Sequence, residues 1–299
     1  MFIATLVAAG ALPKELVLAA GSRLLQAGCG PDPFSWIEYG QAADIPFQWG
    51  LTTACSELHR LAEGVDVVVQ PSGCREKKLL VADMDSTMIT VECLDELADY
   101  AGIKPQIAAI TEAAMRGELG FAGALDARVA LLAGLDERAI DRCLAERVHL
   151  MPGAAELVGT MRARGAYTVL VSGGFTRFAE PVGRKLGFDR VIANRLEIAD
   201  GRLTGTVAKP IVDAATKRAT LIEERTRLGL GDDATLAVGD GANDLDMIRL
   251  AGLGVAFHAK PVVAASAAAR IDHCDLTALL YAQGIPRADW VQSGHHDTA

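Results

Sequence analysis

From Lys78 onward the chain repeats one pattern: a short, mostly apolar run, a polar cluster, then a stretch with helical apolar spacing. Residues 79–82 run into Asp83, residues 167–171 into Ser172-Gly173-Gly174, and residues 235–238 into Gly239-Asp240. Apolar runs without alternation belong to strands covered on both faces, and helices between them supply crossovers. The pattern therefore predicts an α/β fold with a doubly wound parallel sheet. In such sheets ligands bind beyond the carboxyl ends of the strands, where all three polar clusters fall.

Two segments interrupt this repeat. Residues 90–148 read as almost entirely helical, too long for a simple crossover, and predict an inserted helical cap. Before the repeat, residues 2–8 and 65–70 read as strands, 35–48 as one or two more, and 14–27 and 53–63 as helices, a small α+β unit. Pro71-Ser72-Gly73 breaks that pattern, so the expected division is 1–73 for the small domain and 74–285 for the larger one. Ala199-Asp200-Gly201 reads as a hairpin turn. Residues 286–299 are expected to fray, which disfavours a metal role for His295 and His296.

At 299 residues, 51% hydrophobic, the chain can bury a substantial core. A net charge of -9 argues against a nucleic-acid binder, which needs a basic face to displace counterions from phosphates. The apolar start, residues 1–12, lacks the basic flank of a signal peptide, and no apolar run approaches the roughly 18 residues of a membrane span. The six cysteines form no CxxC pair, so reduced thiols and a cytoplasmic protein are expected.

Asp83-Met84-Asp85-Ser86-Thr87 sets two carboxylates just past a buried strand, where they need a cation or hydrogen bonds. An Asx turn or helix cap would use the same residues. An EF-hand is excluded, because Met88 and Leu94 stand where that loop needs Gly and Glu. Gly239-Asp240-Gly241-Ala242-Asn243-Asp244 repeats the arrangement, again readable as a capped turn. The Ser172 hydroxyl and the N–H groups of the Ser172-Gly173-Gly174 turn could hold phosphate oxygens. Lys217 gains meaning only in this company.

In order, Asp83-x-Asp85-x-Thr87, Ser172, Lys217 and Gly239-Asp240-x-x-Asn243-Asp244 resemble the four motifs of the haloacid dehalogenase superfamily. The joint match covers residues 79 to about 280. Asp-Met-Asp-Ser-Thr, Val-Ser-Gly-Gly-Phe and Gly-Asp-Gly-Ala-Asn-Asp look like its phosphoserine phosphatase branch, as do Ala193–Leu196 and His258–Pro261. The N-terminal unit looks like the ACT-type domain of some relatives. The resemblance implies hydrolysis of phosphoserine, the last step of serine biosynthesis, through an aspartyl-phosphate on Asp83, with Asp85 as acid and base. It implies Mg2+ on Asp83, the Asp85 main-chain carbonyl and Asp240, with Asp244 and Thr87 in support. Lys217, Ser172 and the Gly173 N–H would cradle the phosphate, and Asn243 would help position the substrate. Glu92 and Arg128 would meet the ammonium and carboxylate of the substrate, and Met115 and Phe121 would line its apolar side. Hydrolysis of another small phosphomonoester, or amino-acid sensing by the N-terminal unit, are the alternatives. A homodimer is compatible with this reading.

Overall fold

The computed structural model describes residues 1–59, 61–115 and 118–292, and for Met115 the main chain alone; His295 and His296 lie outside the described residues. The chain opens with β1 (Phe2–Ala8), α1 (Lys14–Gln26), β2 (Ser35–Glu38), β3 (Ala42–Phe47), α2 (Leu51–Leu58) and β4 (Val65–Pro71). These strands form an antiparallel sheet in the order β2-β3-β1-β4. The helix expected to continue to residue 63 stops at Leu58, because His59 turns to extended backbone.

Period-two alternation gives this sheet two buried faces. Ala4, Leu6, Ile45 and Val69 pack with Val17, Leu24 and Leu58 of the two helices. The opposite face carries Val7, Ala42 and Val68, which belong to the main core of the rest of the molecule. Polar residues on that same face are matched one by one. Asp66 accepts the N–H groups of Asp272, His273 and Cys274. The Gln70 side chain donates to the Ala282 carbonyl. Arg75 forks onto Asp44 at 2.6 and 2.7 Å, and also donates to the Thr5 hydroxyl and to the carbonyls of Tyr281 and Ala282.

The larger part starts at β5 (Leu79–Ala82) and leaves it for four helices, α3 (Cys93–Tyr100), α4 (Lys104–Met115), α5 (Phe121–Ala130) and α6 (Arg138–Arg147). Entry and exit run side by side: Thr90 N–H donates to the His149 carbonyl and Met151 N–H to that of Met88. Next come α7 (Ala154–Ala163), β6 (Tyr167–Phe175), α8 (Thr176–Leu186), β7 (Arg190–Asn194) and the hairpin β8 (Leu196–Ala199) with β9 (Arg202–Val207). The rest is α9 (Ala214–Arg227), β10 (Thr235–Gly239), α10 (Leu245–Leu250), β11 (Leu253–Phe257), α11 (Pro261–Ala264), β12 (Ala269–Ile271) and α12 (Ala278–Ala282).

Six strands pair in the order β12-β11-β10-β5-β6-β7, all parallel. Each residue of β5, β10 and β11 is buried, as their unbroken apolar runs require. Leu80, Leu170 and Val238 face α7 and α8, whereas Leu79, Val169 and Ala237 face α9 and α10. The chain departs from β5 toward β6 on one side and later crosses to β10 on the other. That reversal brings the ends of β6, β5 and β10 together as neighbours. Residues 287–291, expected to fray, are instead held, because Trp290 packs on Tyr281 with ring centroids 4.9 Å apart and Val291 N–H donates to Thr160 Oγ1. No helix among the described residues is long and apolar enough to cross a membrane.

Candidate active site

Asp83 is the first residue past β5, and its N–H still bonds the Val238 carbonyl of β10. The strand therefore sets its position. Lys217, on the first turns of α9 and wholly buried, places its ammonium 2.6 Å from Asp83 Oδ1 and 2.7 Å from Asp244 Oδ1. Burial alone would lower the pKa of this lysine, but the two carboxylates raise it, so the ammonium stays charged. The other Asp244 oxygen accepts the Gly241 N–H at 3.0 Å. Asp244 also lies against Gly239, where a Cβ would fall 2.4 Å from its carboxyl carbon, so only glycine fits there.

Carboxylate oxygens of Asp83, Asp240 and Asp244 approach within 4.8 Å of one another. Asp240 is pushed up to about 7, by burial first and then by the charges of Asp83 and Glu92, against the pull of Lys260 and Lys217. Lys217 is paired with Asp83 and Asp244, while the charges of Asp83 and Glu92 also bear on Asp240 and Asp85. This excess of negative charge on oxygen donors suits a hard divalent cation. Both Asp244 oxygens are already bonded within the protein, so Asp83 and Asp240 are the better available donors.

Asp85 is the second carboxylate of the motif. Its Oδ1 accepts the N–H of Cys93, the first residue of α3, at 3.0 Å, and Ser172 Oγ lies 3.4 Å from its Oδ2. Burial, then the charges of Glu92 and Asp83, push its pKa up to about 7, against the lowering effect of the Cys93 N–H. A carboxyl group balanced there can both give and take a proton near neutrality. Thr87, wholly buried below, leaves its hydroxyl oxygen without a partner among the described residues.

Ser172 stands three residues before the end of β6, where the apolar run gives out, and accepts the Gly174 N–H on its Oγ at 2.8 Å. A Cβ on Gly174 would lie 2.8 Å from Asp85 Oδ2, so glycine lets this turn close on the carboxylate. A Cβ at Gly173 would meet the Phe121 ring at 3.4 Å and the Asn243 amide nitrogen at 4.0 Å. The cap helix α5 therefore hangs Phe121 over the turn, with Asn243 beside it. Glu92 faces solvent, accepts the Ser86 hydroxyl at 2.7 Å, and has a raised pKa, from desolvation first and despite that hydroxyl. Arg128, half-buried on α5, donates Nε to its own helix at Ala124; burial lowers its pKa, while the charges of Asp95 and Glu92 oppose that. The Met115 side chain lies outside the described residues.

Three features escaped the sequence reading. The Cys93 N–H on Asp85 depends on where the cap helix begins. The Ser86–Glu92 bond depends on Ser86 adopting a left-handed φ of 54°. Asn194, at the end of β7, had only its place in a recurring segment to flag it. A polar residue closing an apolar strand was the available signal for Asn194.

Residues 80–249, more than half of the chain, match the family model of the haloacid dehalogenase-like hydrolases. The chain belongs to that family. Within it, the chain is 47% identical over 246 residues to the phosphoserine phosphatase SerB2 of Mycobacterium tuberculosis, an alignment covering 82% of this chain and 59% of that one. To the phosphoserine phosphatase of Streptomyces coelicolor it is 41% identical over 290 residues, 93% of this chain and 69% of that one. A solved phosphoserine phosphatase with a phospho-aspartyl intermediate analogue superposes with a TM-score of 0.64 at 37% identity, over 69% of this chain and 98% of that one. The chain thus spans about 59% of the mycobacterial relative's length. The haloacid dehalogenase-like core accounts for β5 through α10, and the antiparallel unit before β5 lies outside the family match.

Proposed function

We propose that this haloacid dehalogenase-like hydrolase is a divalent-metal-dependent phosphoserine phosphatase, with Mg2+ as the ion and Asp83 as the nucleophile. The observation that carries the reading is the pairing of Asp83 with the buried Lys217 while Asp85, two residues on, is balanced at about 7. One carboxylate is fixed in place by the buried ammonium to attack, and its neighbour is poised to move a proton. Asp83, Asp240 and the Asp85 main-chain carbonyl would hold the ion, which supplies positive charge to the phosphoryl oxygens.

In this reading an Asp83 carboxylate oxygen attacks phosphorus in line, the bond to the serine oxygen breaks, and Asp85 gives that oxygen its proton. The resulting Asp85 carboxylate then takes a proton from water as the water attacks the aspartyl-phosphate. Lys217, the Ser172 hydroxyl and the Gly173 N–H hold the phosphoryl oxygens, and because they are fixed by burial they need little rearrangement as charge develops. Glu92 and Arg128 face the amino-acid part, one matched to an ammonium and the other to a carboxylate. Phe121 closes the site from above. We read residues 1–73 as an ACT-like unit and the cytoplasm as the compartment, in keeping with six free cysteines.

Phosphate release from a panel of phosphomonoesters tests this. Phosphoserine should be turned over fastest with magnesium, and Asp83→Asn should abolish turnover. Full turnover by Asp83→Asn would remove the nucleophile assignment, and equal kcat/KM across the panel would remove phosphoserine as the substrate.

A further inference from the structure

The turn that faces the phosphoryl group is not held by its own sheet. Where β6 pairs with β7 the register slips between Val171 and Phe175, so the ladder does not fix the peptides of Ser172, Gly173 and Gly174. Asn194 pairs with Phe175 just past the slip and is 1% exposed. Its Nδ2 donates to the Gly173 carbonyl at 2.8 Å, and its Oδ1 accepts the Val212 N–H at 2.7 Å. One partner can only accept and the other can only donate, so the amide has a single orientation.

These two bonds reach the two sides of the phosphate cradle. The peptide joining Gly173 to Gly174 is held at both ends, its carbonyl by Asn194 and its N–H by Ser172 Oγ at 2.8 Å. With Ser172 Oγ accepting from Gly174, its own proton is directed outward, toward Asp85 Oδ2 at 3.4 Å or a phosphoryl oxygen. On the other side Val212 immediately precedes Asp213, whose side chain caps α9 by accepting the Thr216 N–H at 2.9 Å. Lys217 follows on that helix, its N–H bonded to the Asp213 carbonyl.

We propose that Asn194 is a positioning residue for phosphoryl binding, setting the Ser172–Gly174 turn against the helix start that presents Lys217. It touches no substrate and acts through Gly173 and Val212. The inference rests on the phosphatase reading, since it assigns the turn to phosphoryl oxygens, but it is indifferent to the leaving group.

The test compares wild type with Asn194→Asp, which keeps the acceptor for Val212 but sets an oxygen against the Gly173 carbonyl. Asn194→Ser removes the reach to both partners without putting a charge in the interior, and carries the reading if the Asp variant does not fold. Small misplacement of positioning groups lowers rates by up to about 100-fold. The expected result is a fall of about 10- to 100-fold in kcat/KM, equal for phosphoserine and p-nitrophenyl phosphate, with inhibition by inorganic phosphate weakened about 10-fold. A folded variant that binds inorganic phosphate and turns over both esters like wild type, with only its melting temperature lowered, would overturn the proposal. Wild type that hydrolyses neither ester would instead sink the phosphatase reading on which it rests.

Discussion

Arg75 is the perturbation that best tests how the two parts of the molecule are joined. Its guanidinium forks onto Asp44 of the antiparallel sheet and also bonds Thr5 and the carbonyls of Tyr281 and Ala282, the last two residues of α12. The side chains are 17% and 8% exposed, so Arg75→Met leaves an interior carboxylate facing an apolar stem. Breaking such a pair from one side costs about 3–5 kcal/mol. Asp44 keeps the Thr5 hydroxyl and the Ala282 carbonyl keeps Gln70, which favours the lower end, about 3 kcal/mol. Unfolding entropy of about 2.1 cal/mol/K per residue converts this to a fall of about 5 °C in melting temperature. The three tryptophans make the assay direct, because Trp36 and Trp49 report the N-terminal unit and Trp290 the core. In single-tryptophan variants both signals should move together in urea, and Asp44→Asn added to Arg75→Met should recover part of the loss. A cost under about 1 kcal/mol, or separate transitions for the two signals in the parent protein, would refute the reasoning.

Chelation by EDTA should abolish phosphate release, with magnesium restoring it and raising the melting temperature, whereas Asp240→Asn should weaken both effects of added metal. Arg128→Ala should raise KM for phosphoserine about 10-fold or more, through the lost carboxylate partner, and change p-nitrophenyl phosphate hydrolysis far less. Glu224 is buried between Arg190 and Arg227; burial raises its pKa, but hydrogen bonds from both guanidiniums outweigh that and the net shift is downward. A depressed folded pKa gives stability that is complete above the unfolded value near 4.3 and lost as pH falls through the folded one. Glu224→Gln should therefore destabilise the protein at pH 7, and its denaturation midpoint should converge on that of the parent below about pH 4.

Much of the candidate site was legible because buried parallel strands are mostly apolar, so a carboxylate or hydroxyl directly after such a run is conspicuous. Asp83, Ser172 and Asp240 stood out for that reason. Lys217 did not, since a lysine on a helix is usually solvated, and its burial between Asp83 and Asp244 follows only from the packing of α9 under the sheet. Cap residues were harder still: Glu92 just before α3 and Phe121 at the start of α5 carry no spacing that hints that Ser86 and Gly173 lie against them.

Three strands of the parallel sheet and their polar ends were readable in the sequence, because apolar runs are local consequences of which faces a segment buries; β7, β11 and β12 were not singled out. Only the tertiary structure decided that β10 and β6 flank β5, and this adjacency turns separate turns into one site. The same holds for the N-terminal sheet. Asp44, Asp66 and Gln70 alternate with apolar residues as a solvated strand face would, yet each is buried against a partner from the other unit or the segment leading into it. Alternation reports that one face is polar; whether that face meets water or matched hydrogen-bond partners depends on what the rest of the chain brings against it.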